Sequence, residues 1–134
     1  MTIVRISSLV LIWLLLISCS KSPDSTGVTD TTAVAATTGV FSKAQAERGA
    51  LLYTSNCAAC HGAELRGTEG GTALVGELFE SKWKDKTVGA LFELTRATMP
   101  KTNPRSLDDA SYSALLAFIL TYNDFPSGEV DLPS

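Results

Sequence analysis

Histidine occurs once in these 134 residues, at His61, and methionine twice, at Met1 and Met99. Aromatic residues are sparse at 7%, so a domain built from this chain buries little area on large side chains and needs an additional staple. There is no run of Lys and Arg and the formal net charge is only −3, which excludes a nucleic-acid surface. No stretch of alternating apolar and polar residues supports a central sheet. Cysteine is present at three positions, Cys19, Cys57 and Cys60, an odd number that calls for an explanation of the leftover thiol. The length allows one domain with a tail and no more.

The N-terminus explains one cysteine. Arg5 supplies a positive charge, and the apolar stretch Ile3 to Ile17 is shorter than the ~20 residues a membrane helix needs. Residues 1–18 therefore read as an export signal rather than an uncleaved span. The stretch closes on Leu16-Ile17-Ser18-Cys19, which resembles a bacterial lipoprotein box. That resemblance implies cleavage before Cys19 and lipidation of its sulfur and new amino group. The plainer reading is a signal peptide with an incidental cysteine, but a bare thiol outside the cytoplasm would be a liability. Ser20 at the following position implies, by the same resemblance, sorting to the outer membrane. Residues 19–40 are rich in Ser, Thr, Ala, Gly and Asp and read as a tether, because such a composition cannot offset its ordering entropy by burial.

The remaining two cysteines belong to Cys57-Ala58-Ala59-Cys60-His61, the C-x-x-C-H pattern of c-type haem attachment. Two intervening residues on one helical turn bring both sulfurs to one porphyrin edge, and the next residue directs its imidazole at the iron. A dithiol redox site would need a βαβ setting, and a zinc site would need four ligands. The chain offers neither. A covalently held haem c would also be the staple that the sparse core lacks.

For the other side of the iron the choice is narrow. There is no second histidine, and Met1 leaves with the signal, so Met99 is the one soft thioether of the mature chain. Core filling is the ordinary role of methionine. However, Pro100 biases Met99 towards an extended conformation, which places it between helices rather than on a packed stripe. His61 and Met99 are the expected axial pair, as in His/Met cytochromes.

Three helices are expected around this site. Ser42 with Gln45 resembles a capping box, followed by a helix over 43–56 with Ala46, Ala50 and Tyr53 on one face. Gly49 interrupts it at a cost of about 1 kcal/mol relative to Ala, which suggests close approach by another element. A second helix is expected from Thr87 to Arg96. A third is expected from about Asp108 to Tyr122, capped by Ser106 or Asp108, with Tyr112, Leu115, Leu116, Ile119 and Leu120 as its apolar stripe. Residues 62–76 read as loop, Pro126 and Gly128 are expected to end regular structure, and the last few residues are expected to fray.

Gly49-x-x-Leu52-Tyr53, Cys57-x-x-Cys60-His61, Met99-Pro100 and the closing Ala117-Phe118-Ile119 segment resemble the class I c-type cytochromes across residues 43 to about 128. The resemblance implies an all-α cytochrome c fold over 41–134, with the first and last helices crossing at Gly49 against Phe118. It also implies single-electron transfer rather than enzymatic turnover. Phe79-x-x-x-Trp83, Leu91-Phe92 and Asn123-x-Phe125-Pro126-x-Gly128 look like the cytochrome domains that accompany quinoprotein alcohol dehydrogenases. That likeness implies a periplasmic dehydrogenase as donor and the respiratory chain as acceptor, on the periplasmic side of the envelope. Members often carry a proline near Thr72, whose neighbourhood supplies the carbonyl for the haem histidine; here it is absent. Trp83 reads either as a donor to a haem propionate or as a core residue. Lys82, Lys84, Lys86, Lys101 and Arg105 read as a docking rim or as scattered surface charge. The rival functions are a haem sensor or small peroxidase with a labile sixth ligand, and a structural lipoprotein without haem.

Overall fold

The computed structural model describes residues 39–134. The readings of residues 1–38, including the signal, Cys19 and most of the tether, lie outside the described residues. Five helical segments follow one another, α1 (Lys43–Asn56), α2 (Ala58–His61), α3 (Glu77–Trp83), α4 (Val88–Thr98) and α5 (Asp109–Thr121). Two short strands, β1 (Phe41–Ser42) and β2 (Ser127–Gly128), pair in parallel with Phe41 opposite Ser127. The all-α expectation holds, since this pair is an edge clasp and not a central sheet. None of these helices is long and apolar enough to cross a membrane.

Each long helix starts on a side-chain cap. Ser42 accepts from the Gln45 N–H at 3.0 Å, Thr87 from Ala90 at 3.1 Å and Asp108 from Ser111 at 2.7 Å. These satisfy N–H groups that a helix start leaves without partners. Of the two caps open for α5, Asp108 is the one used. The capping box at α1 is only half formed. The Gln45 side chain turns away to the C-terminal tail, donating to the Leu132 carbonyl at 3.0 Å and accepting from the Leu132 N–H at 2.7 Å.

The core forms where α1 crosses α5. Tyr53, Leu65, Phe79, Leu91, Tyr112, Leu115, Leu116 and Ile119 make one buried cluster. Gly49 sits at the crossing: a Cβ there would lie 2.6 Å from the Ala114 carbonyl carbon and 2.9 Å from Phe118 Cβ. The glycine is thus the condition for close approach, and Phe118 does stand against it. Tyr53 meets Phe118 at a tilt of 45° with ring centroids 5.2 Å apart, an arrangement that adds to the area buried.

Two expectations are corrected. Residues 77–83 are helical, where no helix was expected; one buried side chain, Phe79, is too short a signal for periodicity to detect. The C-terminal tail does not fray. Asp131 accepts from the Ser42 hydroxyl and pairs with Arg48 at 2.6 Å, and Ser113 Oγ donates to the Pro133 carbonyl at 2.7 Å. Leu132 packs against the core. Backbone and side-chain partners on α1 and α5 hold this segment, and composition alone does not reveal them.

Candidate haem site

The attachment motif occupies the bend that ends α1. The Cys57 N–H closes α1 on the Tyr53 carbonyl at 2.9 Å. The Cys57 carbonyl then accepts from Cys60 at 3.1 Å and from His61 at 2.9 Å, winding the next turn. Both cysteines are therefore carried on one tight turn, as unpaired thiols, Cys57 half-buried and Cys60 exposed. Burial, with the neighbouring Cys60 thiol adding to it, pushes the Cys57 thiol up to about 11. Among the described residues no three His, Cys, Asp or Glu side chains converge as a metal site.

His61 is oriented from behind. Its Nδ1 bonds the Thr72 carbonyl at 2.7 Å, and since the carbonyl can only accept, Nδ1 carries the proton and Nε2 keeps a free lone pair. The acceptor comes from the backbone, so the missing proline does not remove it. The loop that delivers it is fastened at several points. Thr68 Oγ1 donates to the Cys60 carbonyl at 2.5 Å, and the Gly67 N–H donates to the His61 carbonyl at 2.8 Å. A Cβ at Gly71 would stand 2.8 Å from the Cys60 oxygen and 3.1 Å from His61 Cε1; only glycine lets the loop press this closely on the ring. Further out, the Leu74 N–H donates to Leu65 at 2.7 Å and Asn123 Nδ2 donates to the Leu74 carbonyl at 2.9 Å. Tyr53 Oη donates to the Gly62 carbonyl at 2.6 Å. Burial first, then the nearby Cys57 and Tyr122, push the Tyr53 hydroxyl up to about 12, so it remains a donor at any ordinary pH.

Met99 is extended, with φ −123° and ψ 153°, and caps the C-terminus of α4. That is the conformation expected before a proline, and a cis bond leads into Pro100. The Met99 carbonyl accepts from Tyr112 Oη at 2.7 Å. The sequence shows Tyr112 only as one apolar position of the α5 stripe. Its hydroxyl partner lies thirteen residues away, and no local pattern reports it.

Trp83 ends α3, half-buried, with Phe79 behind it at a centroid distance of 6.3 Å. Lys82 and Lys86 place their ammonium groups 5.7 and 5.2 Å from its ring, within cation–π range. Trp83, Lys84 and Lys86 line one cleft with Val88 and Leu91 of α4. Lys101 and Arg105 are exposed in the loop after Met99.

Two thiols on one turn, an imidazole with Nδ1 already engaged and Nε2 free, and a glycine loop pressed on its back fit a covalently attached haem and little else. They define a c-type cytochrome. The family model described as cytochrome C oxidase, cbb3-type, subunit III matches residues 44–119, more than half of the chain, and the chain belongs to this family. Comparison with curated proteins and with solved structures gives no match. Haem c is accordingly bound through Cys57 and Cys60, and the chain's activity is haem-based electron transfer.

Proposed function

We propose that the chain is a single-electron carrier whose iron takes His61 Nε2 and Met99 Sδ as its two axial ligands. The observation that carries this reading is the bond from His61 Nδ1 to the Thr72 carbonyl, which fixes both ring orientation and tautomer. Met99 complements it as the one methionine among the described residues, held in an extended segment between α4 and α5. The haem would supply a one-electron Fe(III)/Fe(II) cycle at a potential raised by thioether ligation. His61 and Met99 together would leave the iron no open position for a substrate, and the protein's part would be to hold the group and present its thioether edge. Exposed Cys60 marks that edge.

In this reading Lys82, Lys84, Lys86, Lys101 and Arg105 would form a docking rim for an acidic redox partner. In the same reading Trp83 would donate its indole N–H to a haem propionate. The donor we favour is a periplasmic dehydrogenase of the quinoprotein type, on the Phe79/Trp83 and Asn123-to-Gly128 likeness. The acceptor is the respiratory chain, in keeping with the oxidase named in the family description. Cleavage before Cys19 and lipidation there would tether the domain to the outer membrane on its periplasmic side.

Met99→Ala tests the axial assignment. The potential of the variant is expected to fall and the sulfur-to-iron charge-transfer band to vanish; an unchanged spectrum would refute Met99 ligation. Rapid carbon monoxide binding by the native ferrous protein at neutral pH would favour the sensor or peroxidase reading instead.

A further inference from the structure

Met99 is placed by its backbone at both of its polar groups. Its N–H donates to the Thr95 carbonyl at 2.8 Å, and its carbonyl accepts from Tyr112 Oη at 2.7 Å. Tyr112 stands in the first turns of α5, is 1% exposed, and meets Phe92 of α4 edge-on with ring centroids 6.4 Å apart. A second tie spans the same two helices, from Arg96 Nε to Asp109 Oδ1 at 2.7 Å. Between these ties runs the loop from Met99 to Asp108. Residues 101–106 are exposed throughout, and Leu107 packs against the core.

A loop so exposed has few contacts of its own to resist lifting away. What resists is at its base, where detaching Met99 would leave a buried phenol hydroxyl and a backbone carbonyl without partners. Stranding such groups costs much more than exchanging one good hydrogen bond for another.

We propose that Tyr112 is the positioning residue for Met99, holding its carbonyl so that the thioether stays at the iron and setting how readily an outside ligand displaces it. The inference rests on the axial assignment of Met99 made above. It locates control of the sixth position on α5, in a hydroxyl bonded to the Met99 backbone.

The test uses the full-length, haem-loaded protein. Tyr112→Phe keeps the ring and its edge-on packing and deletes only the donor. Imidazole is titrated into the ferric protein while the charge-transfer band is followed, and carbon monoxide is mixed with the ferrous protein. The variant should bind imidazole roughly two- to tenfold more tightly, the range one lost hydrogen bond allows, and should take up carbon monoxide faster by a similar factor. Ser113→Ala is the comparison. It loses the neighbouring bond from α5 to the Pro133 carbonyl and should unfold more easily, yet leave both ligand readouts at native values. Equal imidazole affinity in Tyr112→Phe, or an equal shift in Ser113→Ala, would overturn the proposal while Met99 ligation stood. A native protein lacking the charge-transfer band would remove the axial assignment and this inference with it. If Tyr112→Phe fails to load haem, carbonyl-13C methionine decides on the native protein in a sample from which Met1 has been removed, where Met99 is the one methionine left. A labelled Met99 carbonyl stretch at the frequency of a free carbonyl would overturn the inference without any variant.

Discussion

At His61 a single hydrogen bond decides which nitrogen is available. Because its acceptor is the Thr72 carbonyl, the side chain at position 72 is free to vary. Thr72→Ala should therefore keep the native absorption spectrum and change stability by no more than about 0.5 kcal/mol, as exposed substitutions do; a lost or shifted haem band would show that the side chain matters. The haem-attaching thiols Cys57 and Cys60, with His61 beside them, were legible from spacing, while the proposed role of Met99 comes from elimination together with Pro100. Tyr112 and the Thr72 carbonyl were not legible. One is a hydroxyl whose partner is distant in sequence, and the other is a backbone atom that every residue type provides equally.

The helices show the same division. The bounds of α1 agree with the expectation, and α4 and α5 differ from it by one or two residues, because each begins on a capping side chain that the sequence displays. Helix α3 escaped because seven residues with one buried side chain give periodicity nothing to repeat. The α1–α5 crossing is the most demanding contact between elements. Gly49→Ala would drive a methyl into the Ala114 carbonyl and Phe118, both fixed in the core, and should destabilise the fold by about 3 kcal/mol or more. Chemical denaturation of the haem-loaded protein measures this; a loss below about 1 kcal/mol would mean the helices can part cheaply. At the start of α4, Thr87→Ala removes the hydroxyl that accepts from Ala90 and should cost about 1 kcal/mol, with the charge-transfer band intact.

Across the whole molecule, the C-terminal tail joins α1 to α5. Deleting residues 129–134 strands the buried polar side chains of Gln45 and Ser113. At about 1–3 kcal/mol for each stranded group, Tm should fall by roughly 10 °C or more while the haem spectrum is retained. An unchanged Tm would show that the tail is ornamental. The same tail makes stability depend on acid. The Ser42 hydroxyl, and after it the Arg48 guanidinium, hold the Asp131 carboxyl below the usual carboxylate range, and Ser111 does the same for Asp108. Carboxyls depressed in the folded state stabilise it above their unfolded pKa of about 4 and lose that contribution as pH falls through the lower folded values. Thermal stability should therefore decline below about pH 4, and Asp131→Asn should lower the plateau and flatten that decline.

The parallel clasp between Phe41 and Ser127 also has a topological meaning. Val40 donates to the Pro126 carbonyl at 3.2 Å, so the first described residues meet the chain again only after it has passed through every helix. A polypeptide whose start and finish are sewn together in this way is close to a closed ring, and such domains accept circular permutation and insertion into host loops. Opening the ring in the exposed stretch between Lys101 and Ser106 would cut the Met99 loop, whereas opening it between α3 and α4 would leave every proposed ligand and its supports uncut. A permutant of the second kind is expected to mature with a native haem spectrum, which would make this domain a portable one-electron module for other proteins.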